Sequence, residues 1–223
     1  ENLRDNWWRW GLPQNSLHLD DFPKLKAYLE GKWGKKLLPT LVMPDKEDSL
    51  RDSRFTEADF KSKFPQLDMC RFANDKLDRL KHSFGKSYHD LIKIFTLTEV
   101  QAPDFVLYPK SQEEVGYIVK QSDVHKINLI TYGGGSNVTG ALDVENGRLC
   151  CSLDMKNLNR LVEIDEESHT ATFESGIYGP ALEKILNERG FTLGHFPQSF
   201  EFSAIGGWIA TRSAGQESGK YGK

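Results

Sequence analysis

The 223-residue chain predicts an α+β fold whose texture changes near residue 100. Three observations carry this. Residues 1–100 read as short, charged, helical pieces around an aromatic cluster. From Ala102 onward strand-like and helix-like runs take turns. Gly133-Gly134-Gly135 then sits between two strands, not between a strand and a helix.

Taken in order, Asn6-Trp7-Trp8-Arg9-Trp10-Gly11 holds three of the five tryptophans. Each can bury about 150–250 Å², so the cluster reads as an anchor fixing a terminal segment to a core rather than as a ligand platform. Phe22 to Leu29 is a short, charged helix, and the prolines and alternating charges of Leu37 to Asp68 read as loop or loosely packed helix. Asn74 to Ile94 reads as one helix, with Leu77, Leu80, Phe84, Tyr88 and Leu91 at helical spacing. Phe105 to Tyr108 is a strand ended by Pro109. Ser111-Gln112-Glu113-Glu114 is a capping box opening a helix lined by Val115, Ile118 and Val119. Asn128 to Tyr132 is a second strand. After the glycine loop, Arg148 to Leu153 alternates as a third, with one of Cys150 and Cys151 buried and the other outward. Arg160 to Ile164 and Thr170 to Glu174 follow as strands. Pro180 starts a helix with Leu182, Ile185 and Leu186 as its buried stripe and Gly190 at its end. A last short helix begins near Gly206 and carries Trp208 to Arg212. The chain stops at Gly219-Lys220-Tyr221-Gly222-Lys223 with no segment that reads as a closing strand or helix, so a portion of a longer polypeptide is expected.

Composition excludes some partners. With 29 Lys+Arg against 32 Asp+Glu and a net charge of -3, no basic footprint for nucleic acid exists. Cys70, Cys150 and Cys151 form no CxxC, which argues against a zinc site or a disulfide framework and for a reducing compartment. No apolar run approaches the ~20 residues that span a bilayer and no signal peptide is visible, so an intracellular protein is expected.

The chemistry concentrates in two stretches. Thr131 to Gly140, TYGGGSNVTG, leaves a strand with three bare positions, which permit positive φ and let successive N–H groups converge on an anion. A tight turn between strands is the alternative. A Walker A loop fails because no lysine follows the glycines, and a dinucleotide fingerprint fails because Val138 stands where its third glycine belongs. The second stretch, Gly194 to Trp208, combines a rigid loop, hydroxyl residues and Gly206-Gly207 at a helix start, a second anion-friendly feature. Two such features fit a long ligand with a central diphosphate.

The segments PDFVLYPKSQEEV, YGGGSNVTGAL, SLDMKNLNRLVEID, ATFESGIYGPALEKILNERGFTLGHFPQSFEFSAIGGWIATRSAG and KYG, in this order, resemble the vanillyl-alcohol-oxidase/PCMH flavoprotein superfamily. Within it the pattern is most similar to the alkyldihydroxyacetonephosphate synthases of ether-lipid synthesis. The resemblance covers residues 100–223 strongly and the first hundred weakly. It implies a PCMH-type FAD-binding domain of two α/β subdomains over 101–223, with the C-terminal part of the fold missing, preceded by a mostly helical region over 1–100. By resemblance, Tyr132, Gly133, Gly134, Gly135, Ser136 and Asn137 wrap the FAD diphosphate. Gln198, Ser199, Phe200, Glu201, Phe202, Ser203 and Ala204 line the isoalloxazine and ribityl region. Gly206 and Gly207 belong to the same motif, and Thr211, Arg212, Ser213 and Ala214 hold the far side of the cofactor. The family often has Asp where Gln198 stands, so a polar contact is kept and a charge lost.

Single residues carry alternatives. His195 could attach FAD covalently, but its flanks suggest a loop histidine and the resemblance implies non-covalent FAD. Arg212 faces the diphosphate or pairs with a carboxylate. Glu201 reads as a satisfied, structure-holding carboxylate, and Asn137 as turning the loop with its own side chain. The implied reaction exchanges the acyl chain of acyl-dihydroxyacetone phosphate for a fatty alcohol, with catalytic acid and base beyond this chain. The alternatives are an FAD-linked dehydrogenase or oxidase of a hydroxy acid or alcohol, and a silent binding module without cofactor. The resemblance also implies a homodimer, peripheral membrane contact, and a peroxisomal location in a eukaryote or a cytoplasmic one in a bacterium. No targeting signal is visible.

Overall fold

The computed structural model of the protein describes residues 7–11, 18–37, 46–67, 70–96, 99–145 and 147–222. Strand β2 (Phe105–Tyr108) follows a short β1 (Arg71–Ala73), and beyond it lie β3 (Asn128–Tyr132) and β4 (Cys150–Asp154). All residues of β2 and β4 are buried, the pattern of strands covered on both faces. The sheet order is β1-β2-β4-β3. β4 runs parallel to both β2 and β3, and β1 closes one edge antiparallel to β2. This corrects two expectations. The third predicted strand does not alternate, and Cys150 and Cys151 are both buried because β4 lies inside the sheet with cover above and below.

The crossover from β2 to β3 is α5 (Gln112–Val124). Ser111 Oγ caps it by accepting the Glu114 amide, while the Glu114 carboxylate returns to the Lys110 amide rather than to that of Ser111. Val115 and Ile118 pack on the sheet, but Val119 is half exposed, which removes it from the expected buried face.

Residues before 100 supply much of this core. Helix α2 (Glu57–Lys63) starts from a Thr56/Asp59 capping box. It delivers Phe60, with Phe55, Phe64 and Leu67 around it, onto Phe105, Leu107 and Ile118. Phe55 stacks on Phe105 at 4.0 Å between ring centres. The stretch expected over Leu37 to Asp68 as loop or loosely packed helix therefore buries Leu50, Phe55, Phe60, Phe64 and Leu67, while its other described residues are half-buried or exposed and residues 38–45 and Asp68 lie outside the described residues. Arg54 reinforces the junction with a bidentate pair to the fully buried Asp104 (2.8 and 2.8 Å), whose Oδ2 also accepts the Cys150 amide. Burial pushes the Asp104 carboxyl up, but these bonds outweigh it and hold the group below its ordinary value.

The helix predicted over Asn74 to Ile94 is two helices, α3 (Lys76–Lys81) and α4 (Tyr88–Thr96). The break falls at Gly85, whose missing Cβ would lie 2.5 Å from the Asn137 carbonyl. Asp90 then restarts the chain by accepting from the Ser87 amide and hydroxyl. Leu80 and Phe84 are buried as expected, Leu77 and Tyr88 are exposed, and Trp7 and Trp8 join that cluster as anchors, Trp7 stacking on Phe84. Trp10 is partly exposed beside Phe202. The charged N-terminal helix is α1 (Pro23–Trp33), which buries no residue.

Beyond the sheet, β5 (Leu161–Asp165) and β6 (Thr170–Phe173) form an antiparallel hairpin. Helix α6 (Gly179–Asn187) covers it with Leu182, Ile185 and Leu186, and Gly190 (φ 79°) ends that segment. Helices α7 (Ile205–Thr211) and α8 (Ser218–Tyr221) complete the described chain, so the C-terminal stretch expected to be irregular ends in a short helix.

Candidate functional site

Three parallel strands place their carboxyl ends on one edge of the sheet, the edge at which open α/β sheets take ligands. The glycine loop leaves β3 there. Its bare positions are required by the chain itself. A Cβ on Gly134 would lie 1.8 Å from the Phe202 carbonyl oxygen, and one on Gly133 would lie 3.3 Å from Ala204 Cβ. Gly135 has φ 65°, and a Cβ there would meet the Tyr132 hydroxyl at 2.4 Å. The two motifs that the sequence separates are thus in direct backbone contact.

The amides of the same loop are left for something else. The N–H groups of Gly134, Gly135, Ser136, Asn137 and Val138 have no acceptor among the described residues. Asn137 fixes the loop's exit as expected: its Oδ1 accepts the Thr139 and Ala141 amides, and its carbonyl accepts the Lys86 amide at 2.8 Å. Five successive free amides in a pinned loop are donors available to an anion. Burial pushes the Lys86 ammonium beside this loop down to about 8, against the pull of Asp90. Tyr132 contributes only main chain to the loop's surface, because its ring is buried and its hydroxyl donates to the Lys81 carbonyl at 3.1 Å. Tyr178 braces the loop from α6, its hydroxyl donating to the Gly133 carbonyl.

The second motif divides into scaffold and surface. Ser203 is scaffold: its hydroxyl donates to the Ser199 carbonyl and accepts from Trp208 Nε1 at 2.6 Å and from the Ser199 hydroxyl. Phe200 is also scaffold, stacked on Trp208 and pressed against Gly179. Ala204 is buried against Gly133, and Phe202 presents its carbonyl to Gly134. Gln198 and Ala214 are exposed and line one open cleft of about 500 Å³ with Phe196, Pro197, Gly215 and Gln216.

Three expectations change. Glu201 is exposed and makes no hydrogen bond or ion pair among the described residues, so it is no structural carboxylate. The N-terminus of α7 is not an open anion site, because the Ile205 and Gly206 amides already donate to the Ile177 and Ser175 carbonyls. Gly206 is bare because Ser175 crowds it, whereas Gly207 faces open space. Arg212, in the left-handed region that ends α7, is exposed with no carboxylate partner among the described residues. It lines an opening with His195, Trp208 and Tyr221. His195 is a loop histidine as read from its flanks, with Nε2 2.9 Å from Ser213 Oγ and its ring against Trp208. Thr211 turns its hydroxyl back to the Gly207 carbonyl. Sequence reasoning missed His82 and Asp154, which meet beneath Tyr132. No local signal joins them, since they lie 72 residues apart in the chain.

Comparison with known proteins agrees with this geometry. The FAD binding domain family matches residues 103–223, more than half of the chain. The chain is 45% identical over 150 residues to an alkyldihydroxyacetonephosphate synthase of Dictyostelium discoideum, which covers 67% of this chain and 24% of that protein. It is 37% identical over 139 residues to an FAD-linked oxidoreductase of Escherichia coli, covering 61% of this chain and 28% of that one. A solved structure of an alkyldihydroxyacetonephosphate synthase superposes on all of this chain, 45% of its own length, with a TM-score of 0.83 at 33% identity. The chain thus spans only about a quarter of the curated relatives it matches. The PCMH-type fold expected from the sequence is the fold found. The chain belongs to the FAD binding domain family, and its cofactor is FAD.

Proposed function

We propose that this chain is the cofactor-holding part of an ether-lipid synthase that exchanges the acyl chain of acyl-dihydroxyacetone phosphate for a long-chain fatty alcohol. The observation that carries the cofactor's placement is the run of free amides from Gly134 to Val138, held against Phe202 and Ala204. In this reading those amides take the diphosphate. Gln198 to Ala204 lie along the flavin and its ribityl chain, Gly206 and Gly207 back that segment, and Thr211 to Ala214 hold the far side. FAD, when bound, supplies a covalent partner for the substrate, so the exchange involves no net oxidation. His195 is already engaged with Ser213, which supports FAD held without a covalent bond. The acid and base lie outside these residues.

The synthase reading is favoured over oxidation by identity, 45% to the Dictyostelium synthase against 37% to the Escherichia coli oxidoreductase. The oxidoreductase remains the specific second reading. In the first, the protein works as a homodimer at a membrane surface, in peroxisomes if the source is a eukaryote and in the cytoplasm otherwise. The deciding experiment uses the full-length protein. Acid treatment should release flavin absorbance into the supernatant, and the holoenzyme should turn acyl-dihydroxyacetone phosphate and radiolabelled fatty alcohol into labelled alkyl-dihydroxyacetone phosphate with release of the fatty acid. Flavin bleaching by a hydroxy acid without any incorporation would replace the synthase reading with the oxidoreductase one.

A further inference from the structure

Beneath the glycine loop the chain buries a histidine and a carboxylate that cofactor contact does not explain. His82 ends α3 and Asp154 ends β4, with side chains 3% and 0% exposed. His82 Nε2 lies 3.1 Å from Asp154 Oδ2, and Nδ1 lies 2.6 Å from the Asp78 carbonyl oxygen. A peptide carbonyl only accepts hydrogen bonds, and so does an ionised carboxylate. With Asp154 ionised, both ring nitrogens donate and the ring is an imidazolium. Two features support the charges. Nδ1 meets the carbonyl end of α3, where the helix dipole favours a cation. Asp154 Oδ1 accepts the Lys156 amide at 2.9 Å, a bond that favours the carboxylate over the acid.

This pair reaches the loop through one ring. Tyr132 lies 4.3 Å from His82 between ring centres, and its hydroxyl is tied to the Lys81 carbonyl. Gly135 closes over the same ring so tightly that a side chain there would strike the Tyr132 hydroxyl. Contact thus runs unbroken from Asp154 through His82 and Tyr132 to Gly135. Tyr108 also packs on His82, edge-on at 5.9 Å, and two cations stack over Tyr108, Arg71 at 4.5 Å and Lys156 at 4.0 Å. Arg71 is itself paired with Asp78. These cations sit against Tyr108, whereas Asp154 touches the His82 ring.

We propose that His82, as an imidazolium paired with Asp154, is a positioning residue for FAD, holding the Tyr132 ring that shapes the Gly134–Val138 amides. This rests on the placement of the diphosphate proposed above. The clamp needs the second ring proton, so it is intact at acid and neutral pH and is lost as pH rises and that proton leaves.

The test measures FAD affinity of the full-length apoprotein by flavin fluorescence between about pH 6 and about pH 9.5, a range spanning imidazole titration. Wild type should hold its affinity at the acid end and lose about tenfold toward the alkaline end, the weight of one charge-assisted hydrogen bond. His82→Phe should bind about tenfold more weakly at neutral pH and show no such fall. Asp154→Asn should move the fall to lower pH. Selective ¹⁵N-histidine NMR on the wild-type apoprotein adds a readout independent of folding in the variants: both His82 nitrogens should be protonated at neutral pH. A singly protonated ring there, or variants that bind FAD like wild type across the range, would overturn this inference alone. A folded wild type that takes up no FAD at any pH would overturn the cofactor placement and this inference with it.

Discussion

Replacing Gly134 by alanine puts a methyl group where the Phe202 carbonyl already stands. The new Cβ would lie 1.8 Å from that oxygen, 2.8 Å from its carbon and 3.1 Å from Ser203 Cα. All three atoms are backbone, so no side-chain rotation relieves the clash. One segment must retreat by about 1.6 Å to reach an ordinary 3.4 Å contact. Overpacking of this kind costs about 1–3 kcal/mol. For a domain of this size each kcal/mol lowers Tm by about 2–4 °C, so a fall of roughly 2–12 °C is expected by circular dichroism. In the placement proposed above, the same retreat moves the free amides off the diphosphate and removes hydrogen bonds to a charged group worth about 1.5–3 kcal/mol each. Purified Gly134→Ala should therefore carry little FAD. Gly116→Ala is the control: it lies inside α5 with nothing within 4 Å of a Cβ, and it should stabilise by up to about 1 kcal/mol. A Gly134→Ala protein with wild-type Tm and full flavin content would refute the claim that the two motifs meet backbone to backbone.

Two further outcomes follow from the core. Asp104→Ala strands Arg54 and the Cys150 amide and should cost about 3 kcal/mol in urea unfolding, at the low end for a buried pair because Arg54 is a third exposed. Because the Asp104 carboxyl is held below its ordinary value, its contribution is present at neutral pH and lost on acidification. Asp104→Asn should therefore lose less stability than wild type as pH falls through the ordinary carboxylate range. All three thiols are buried, with Cys70 pushed up to about 11 and Cys150 to about 12 by burial. A thiol-disulfide reagent at neutral pH should titrate none of them quickly in the native protein and all three in denaturant. Fast native labelling of Cys150 would contradict the closed sheet.

Three strands of the parallel sheet were legible because they are short apolar runs bounded by punctuation such as Pro109 and the glycine loop, whereas their pairing and β1 were not. The bounds of β2 and β3 match the reading, β6 ends one residue early, β5 is shifted by one residue at both ends, and β4 starts two residues later and ends one later than read. What failed was inference from local periodicity where tertiary packing decides. Cys150-Cys151 looks like an alternating pair, yet its strand is covered on both faces. Phe55, Phe60 and Phe64 sit among charges and prolines, yet they meet residues 40 or more positions later to build the core. The helix over Asn74 to Ile94 was legible as helical but not as broken, because the cause is Asn137 pressing on Gly85. In the site, the turning role of Asn137 could be read from its residue type. The His82–Asp154 pair could not, since a lone histidine and a strand-end aspartate carry no mutual pattern.

The glycine run also separates two demands that a sequence motif merges. Bare positions are commonly taken as room for a ligand, but here Phe202 and Ala204 crowd Gly134 and Gly133, and φ 65° with the Tyr132 hydroxyl restricts Gly135. A ligand needs only the amides, and those are free from Gly134 to Val138. The glycines therefore set how the loop seats on the second motif, the segment that also carries the exposed Gln198 cleft. In the placement proposed above, a long cofactor with a central diphosphate takes the amides as one anchor and the Gln198 segment as a second. Damage at the contact should then weaken both anchors together. Loss of the Gln198 side chain should instead weaken one anchor while leaving Tm and the loop unchanged.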